Sequence, residues 1–265
     1  MKHLLLAMAG ALLIQPALPM PLAAQGSAAR GLEIAREAER RDTGWGDSRA
    51  ALTMILQDRR GNTRERKLRI LALENPGENN GDKSIAIFDS PADLKGTILL
   101  TRTQLQDDDQ WLFLPALKRV KRISSSNKTG AFFGSEFAYE DISAPEIGKF
   151  RYDYVGQKPC GRLTCFVVER TPSYRNSGYS KLITYYDTTA YRPQRIDYYD
   201  RRGKLMKVLT FGGYKKYAGR FWRAATYTMK NLKTGKTTVL KYGNWKFRTG
   251  LNDAYFSKDN LRNIR

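Results

Sequence analysis

Two short polar turns, each carrying a glycine, most constrain what this chain can become. Asp200-Arg201-Arg202-Gly203 separates an alternating apolar stretch at 192–199 from another at 204–212, and Lys233-Thr234-Gly235-Lys236 separates 221–231 from 237–247. Turns of this kind between period-two stretches join antiparallel neighbours. The earlier sequence has the same rhythm, with short apolar or β-branched runs at 51–56, 64–73, 83–89, 96–103 and 110–115 broken by turn residues such as Arg60-Gly61-Asn62 and Asn75-Pro76-Gly77. One helix is expected at 28–41, where Leu32, Ile34, Ala35 and Ala38 are set among Glu and Arg, and a short helical turn at 253–261. With no internal repeat and no low-complexity linker, the reading is one mainly β domain (α+β) over 25–265, built on a single antiparallel sheet that is strongly curved or closed.

The first 24 residues stand apart. Lys2 precedes an apolar run from Leu4 to Ile14 and small residues ending at Leu22-Ala23-Ala24, which reads as a secretory signal peptide cleaved after Ala24. A membrane anchor needs about 20 consecutive apolar residues, and Gln15, Pro16, Pro19 and Pro21 interrupt this run. No cysteine follows to accept a lipid, so the expected mature protein is soluble and exported. Its 46 Lys and Arg against 26 Asp and Glu give a formal charge of +20, which draws a protein to polyanions. For an exported chain these are anionic lipid headgroups or wall polymers rather than nucleic acid. A basic surface that merely keeps the protein soluble has the same composition.

The chemistry on offer is narrow. The single histidine, His3, lies in the leader, so the mature chain can form neither a Ser-His-Asp nor a Cys-His arrangement. A metal site would need cysteines or carboxylates. Asp107-Asp108-Asp109 reads as a solvated turn, lacking the glycine and distal glutamate of a calcium loop. Ser124, Ser125, Ser126 and Lys128 read as a loop rather than a Ser-Lys hydrolase, and there is no phosphate-binding or dinucleotide glycine motif. The expectation is a non-enzyme with no catalytic residue, metal or cofactor. Cys160 and Cys165, between strand-like flanks, are expected to pair across a hairpin turn in an oxidising compartment. So short a loop is worth roughly 2 kcal/mol in the chain-entropy model.

The segment 124–142 breaks the regular rhythm. It opens polar, then supplies Phe132, Phe133, Phe137 and Tyr139, with Gly130 and Gly134 flanking the phenylalanine pair. Long connections in compact domains are often functional. A flap over an apolar cavity and a plug filling one have the same composition, and the residues do not separate them. Just before it, Lys118-Arg119-Val120-Lys121-Arg122 is densely basic. It suits an anionic headgroup or an acidic partner, and equally a strand edge protected by charge.

The run Asp107-Asp108-Asp109-Gln110-Trp111-Leu112-Phe113-Leu114-Pro115-Ala116-Leu117-Lys118-Arg119-Val120-Lys121-Arg122-Ile123-Ser124-Ser125-Ser126 resembles the signature of the outer-membrane lipoprotein-sorting-like proteins, within the wider family of LolA and LolB carriers. The stretches Ser135-Glu136-Phe137-Ala138-Tyr139-Glu140-Asp141, Ser177-Gly178-Tyr179-Ser180-Lys181 and Tyr198-Tyr199-Asp200-Arg201-Arg202-Gly203-Lys204-Leu205 fit the same pattern. The resemblance runs from about Gly44 to the C-terminus. It implies a half-barrel with a helical or loop lid over a concave apolar face, and a periplasmic carrier that shields the acyl chains of lipids or lipoproteins. It further implies service to an inner-membrane exporter of the resistance-nodulation-division type. The missing lipidation cysteine fits a soluble shuttle like LolA rather than an anchored acceptor like LolB.

Within that expectation Ile98, Leu100, Trp111 and Phe113 are the candidate cavity wall, since each pair shares a strand face. Phe132, Phe133 and Phe137 are the candidate flap. Arg119, Lys121 and Arg122 are the candidate contacts to an anionic membrane surface, a headgroup or a partner. The competing expectation is an accessory module with a filled barrel that docks on an exporter or a wall polymer through its basic face.

Overall fold

A computed structural model describes residues 22–75, 81–144 and 146–264. The leader expected at 1–24 lies outside the described residues as far as position 21. The helix α1 (Leu22–Asp42) ends with Arg40 and Arg41 in its last turn, where cations complement the helix dipole. Glu37 pairs with both at 2.7 Å.

The chain then lays down a meander: β1 (Asp47–Gln57), β2 (Thr63–Leu73), β3 (Lys83–Ser90), β4 (Ile98–Arg102), β5 (Asp109–Leu114) and β6 (Arg119–Ile123). After the long connection at 124–149 a second meander begins, with β7 (Phe150–Cys160), β8 (Leu163–Pro172), β9 (Tyr179–Asp187), β10 (Pro193–Asp200) and β11 (Leu205–Gly212). It continues through β12 (Lys215–Tyr217), β13 (Phe221–Arg223), β14 (Thr226–Asn231) and β15 (Thr237–Phe247). All but β12 and β13 join one antiparallel sheet of 13 strands, ordered β6-β5-β4-β3-β2-β1-β15-β14-β11-β10-β9-β8-β7. The first strand and the last therefore meet mid-sheet, with Ser48 opposite Phe247 and Gln57 opposite Thr237. The edge strands β6 and β7 do not pair, so the sheet is open and the closed alternative is excluded.

Both expected hairpins form at their glycine turns, β10–β11 and β14–β15. The stretch 221–231, expected as one strand, divides at Ala224–Ala225. Its first part turns away to pair with β12 as a separate two-stranded sheet. The Cys160–Cys165 disulfide closes the β7–β8 hairpin.

Period-two alternation gives the sheet two unlike faces. The inner face carries the main core, including Leu52, Met54, Leu68, Phe88, Leu99, Leu182, Leu209, Met229 and Leu240, packed with Phe132 and Phe137 from the connection. At its β7–β9 end α1 covers it, seating Ile34 and Ala35 on Tyr152, Phe166, Val168 and Tyr186. The helix comes unusually close at Gly31, where a Cβ would stand 2.9 Å from backbone atoms of Asp153 and Tyr154. Over β2–β4 the outer face is covered by the C-terminal turns Asp253–Phe256 and Asp259–Arg262. These bury Leu251, Phe256 and Leu261 against Leu71, Ile85, Ile87, Ile98 and Leu100.

Candidate functional site

The connection at 124–149 carries the chain from one edge of the sheet to the other, along the inner face, and it decides the character of that face. Ala131 bridges Ala138, and the Phe132 amide donates to the Phe137 carbonyl at 2.7 Å. The reversal is made by Phe133 and Gly134, both left-handed at φ 47° and 70°. Phe133 is a bulky residue in a region that costs of order 1–3 kcal/mol, held there by its surroundings. Phe132 meets Phe133 and Tyr139 edge-on at 5.1 and 5.6 Å between ring centroids, and Phe133 lies 4.6 Å from Phe88. Phe132 and Phe137 are buried and Phe133 is half-buried.

Polar groups pin the connection along its length. Asp141 accepts the Ala138 amide at 2.7 Å, the Tyr179 hydroxyl at 2.9 Å and the Lys207 ammonium at 2.7 Å. Lys207 also donates to the Glu136 carbonyl at 3.1 Å and lies 5.0 and 5.2 Å from the ring centroids of Tyr179 and Tyr198. Glu140 accepts from Tyr174, Ser177 and the Gly178 amide. Its carboxyl is nonetheless pushed above the ordinary carboxylate range by burial and by the charge of Asp141. Further along, the Glu136 amide donates to Thr238 at 2.9 Å and Gln110 donates to the Tyr139 carbonyl at 3.0 Å. A cleft of about 520 Å³ opens beside these anchors, lined by Glu136, Asn176, Arg201, Met206 and Asn231 among others.

The residues expected to form one cavity divide between the two faces. Ile98 pairs with Phe113 and Leu100 with Trp111, so these four do share a face as the alternation requires. That face is the outer one, where Ile98 and Leu100 are buried under the C-terminal turns and Trp111 and Phe113 pack beside them. Their neighbours Leu99 and Leu112 are the ones in the core that holds Phe132 and Phe137. Ile98, Leu100, Trp111 and Phe113 thus lie on the face opposite the one that holds Phe132 and Phe137. A single step in a strand exchanges faces, and nothing local in either run marks which face meets the connection. Arg119, Lys121 and Arg122 are exposed along the edge strand β6, and Arg122 pairs with Asp109.

Other apolar residues of the inner face also remain half-buried. Ile70, Ile196, Phe211, Tyr227 and Tyr242 pack against the main core without being fully covered. They form a lane across the strands, with Phe211 and Tyr227 4.9 Å apart and Tyr227 and Tyr242 5.0 Å apart. Tyr227 and Tyr242 are half-buried, and burial pushes both phenols above the ordinary tyrosine range. Sequence reading passed over these residues although the signal was present. Leu240 and Tyr242 alternate with polar neighbours on a strand whose limits, 237–247, were evident.

A family model described as "Uncharacterized protein" matches residues 80–263. Among curated proteins, none matches the chain. The crystal structure of a putative outer membrane lipoprotein-sorting protein domain from Vibrio parahaemolyticus is 47% identical, covering 89% of this chain and 99% of that one with a TM-score of 0.86. A DUF1329 family protein from Desulfovibrio piger ATCC 29098 is 29% identical, with 89% and 99% covered and a TM-score of 0.83. A LolA superfamily protein from Nitrosomonas europaea, 21% identical with 86% and 98% covered and a TM-score of 0.70, shares the fold.

Proposed function

Because the chain belongs to the family of outer-membrane lipoprotein-sorting-like proteins, we propose that it is a periplasmic carrier for the acyl chains of a lipid or lipoprotein. The leader at 1–24 is removed after Ala24, and the mature chain of 25–265 shuttles between envelope membranes, serving an inner-membrane exporter. The carrying surface is the inner-face lane of Ile70, Ile196, Phe211, Tyr227 and Tyr242. The main observation behind this reading is that a face already supplied with a core keeps this lane of aromatic and aliphatic surface only partly covered. Each acyl methylene moved from water onto such a surface contributes about 0.8 kcal/mol, so a partly seated chain can offset the cost of association.

In this reading the sheet is a half-barrel and the connection is its lid. Gln110 of β5 and Tyr179 of β9 lie nine strand places apart, about 43 Å on a flat sheet. Both bond to residues 139–141, a stretch of chain at most about 7 Å long. A sheet curled around the connection accounts for that reach. Phe132, Phe133 and Phe137 then form the movable cover, turning about the left-handed pair at 133–134. The exposed cations of β6 meet the anionic membrane surface or the exporter.

Native mass spectrometry of the mature protein from a detergent-free periplasmic extract tests the reading. An acyl-bearing species is expected, and Tyr227→Asp with Tyr242→Asp should weaken binding of an acyl fluorophore at least ten-fold while the fold is kept. An empty protein that also ignores the fluorophore would end the carrier reading. The exposed Arg119, Lys121 and Arg122 would then favour an interaction module docking through β6 on an exporter or a wall polymer.

A further inference from the structure

Four cations are buried among the described residues: Lys128, Lys149, Arg170 and Lys207. Three face a carboxylate, with Lys149 2.5 Å from Asp108, Lys207 2.7 Å from Asp141 and Lys128 3.9 Å from Asp107. Arg170 faces none. It is 4% exposed, its buried Nε has no hydrogen-bond partner, the Phe150 ring centroid lies 5.0 Å from the guanidinium carbon, and its charge reaches the phenols of Tyr152 and Tyr198. Arginine does not shed its charge as a buried lysine can, and a buried guanidinium N–H without an acceptor is costly.

A second orphan lies beside it. Thr184 is 1% exposed and its Oγ1 also has no partner. Arg170 pairs with Leu182 and Val168 with Thr184 across β8 and β9, so Arg170 and Thr184 are diagonal neighbours on the inner face, about 7–8 Å apart. Thr184 pairs in turn with Ile196, the first residue of the apolar lane. Two buried donors without a hydrogen-bond partner, Arg170 Nε and Thr184 Oγ1, thus stand at the end of an apolar lane.

We propose that Arg170 and Thr184 form an anion subsite that takes the carboxylate or phosphate oxygens of an amphiphile whose tail lies on Ile196, Phe211, Tyr227 and Tyr242. Guanidinium geometry suits either oxyanion. Phe150, half-buried at the start of β7, roofs the subsite and turns aside to admit the head. The proposal rests on the carrier reading and adds to it the charge and polarity of the cargo, and the end of the lane at which its head sits.

The test uses the mature full-length protein, a dansyl-labelled fatty acid, the methyl ester of the same probe, and lysophosphatidic acid as competitor. Wild type is expected to prefer the acid over the ester about ten-fold or more, the value of a charge-assisted hydrogen bond. Arg170→Met should abolish that preference while leaving the ester's affinity within about two-fold. The ligand-free variant should melt at or above the wild-type temperature, because an unpaired charge has been replaced by apolar volume. Arg170→Gln should lose the preference in the same way. Displacement of the acid by lysophosphatidic acid marks a phosphate-accepting site, and its failure marks a carboxylate site. Equal binding of acid and ester by wild type overturns the subsite and leaves the carrier reading intact, and this arm needs no variant to fold. A preference that survives Arg170→Met with a lowered melting temperature overturns it too, giving Arg170 a structural role. If neither probe binds, the carrier reading fails together with the subsite.

Discussion

Asp141 accepts hydrogen bonds from an amide, a hydroxyl and an ammonium group at once, so it joins the connection to β9 and β11 through one carboxylate. Asp141→Ala leaves Lys207 as an uncompensated buried cation, which typically costs about 3–5 kcal/mol. A urea midpoint shifted down with an unchanged slope is the expected result, and a shift of less than about 1 kcal/mol would show that Lys207 relaxes to solvent. A different carboxylate behaves in the opposite sense. Asp82 sits near Glu146, Glu74 and Asp42, and burial, with their charge adding to it, pushes its carboxyl up to about 7. A carboxyl raised on folding binds more protons in the native state than in the unfolded one. Its stabilising effect is complete below about pH 4 and is lost as pH rises through about 7. Asp82→Asn should therefore raise the melting temperature at pH 8, with the gain vanishing near pH 4, and an equal gain at both values would assign it to hydrogen bonding instead. Residues of this kind are the hardest to read from sequence. The cysteine pair was legible because its partners lie five residues apart. Lys207 and Asp141 are 66 apart and look like two ordinary surface charges, and Arg170 looks like any basic residue on an alternating strand.

At the scale of elements, turn chemistry and alternation were sufficient wherever neighbours in sequence are neighbours in space. The hairpins β10–β11 and β14–β15 and the C-terminal turns fall where local signals place them. What the sequence left open was which face of each strand meets the connection, because that is settled by a segment arriving from elsewhere. The helix shows how narrow such docking can be. Gly31 lets α1 approach the β7 backbone at Asp153 and Tyr154, and Gly31→Ala inserts a methyl group where no space exists. Although alanine favours a helix by up to about 1 kcal/mol, overpacking of this kind costs about 1–3 kcal/mol. The variant should be net destabilised, with amide exchange in residues 26–42 faster than in wild type. A stabilised variant would mean that the helix rides further from the sheet.

For the molecule as a whole, composition and patterning conveyed a mainly β chain, and the resemblance conveyed its family. Neither conveyed the order of strands. That order brings the first strand and the last together in the middle of the sheet, 190 or more residues apart in places, and contacts so remote leave no local trace. It also has a mechanical consequence. Because Ser48 lies opposite Phe247, the chain enters β1 and leaves β15 at the same end of their shared seam. Tension across Asp47 and Phe247 loads the hydrogen bonds of that seam one rung at a time, as a zip is drawn, rather than all together in shear. A sheet assembled this way parts at its centre under a small pull, into two meanders that stay linked to each other by the connection at 124–149.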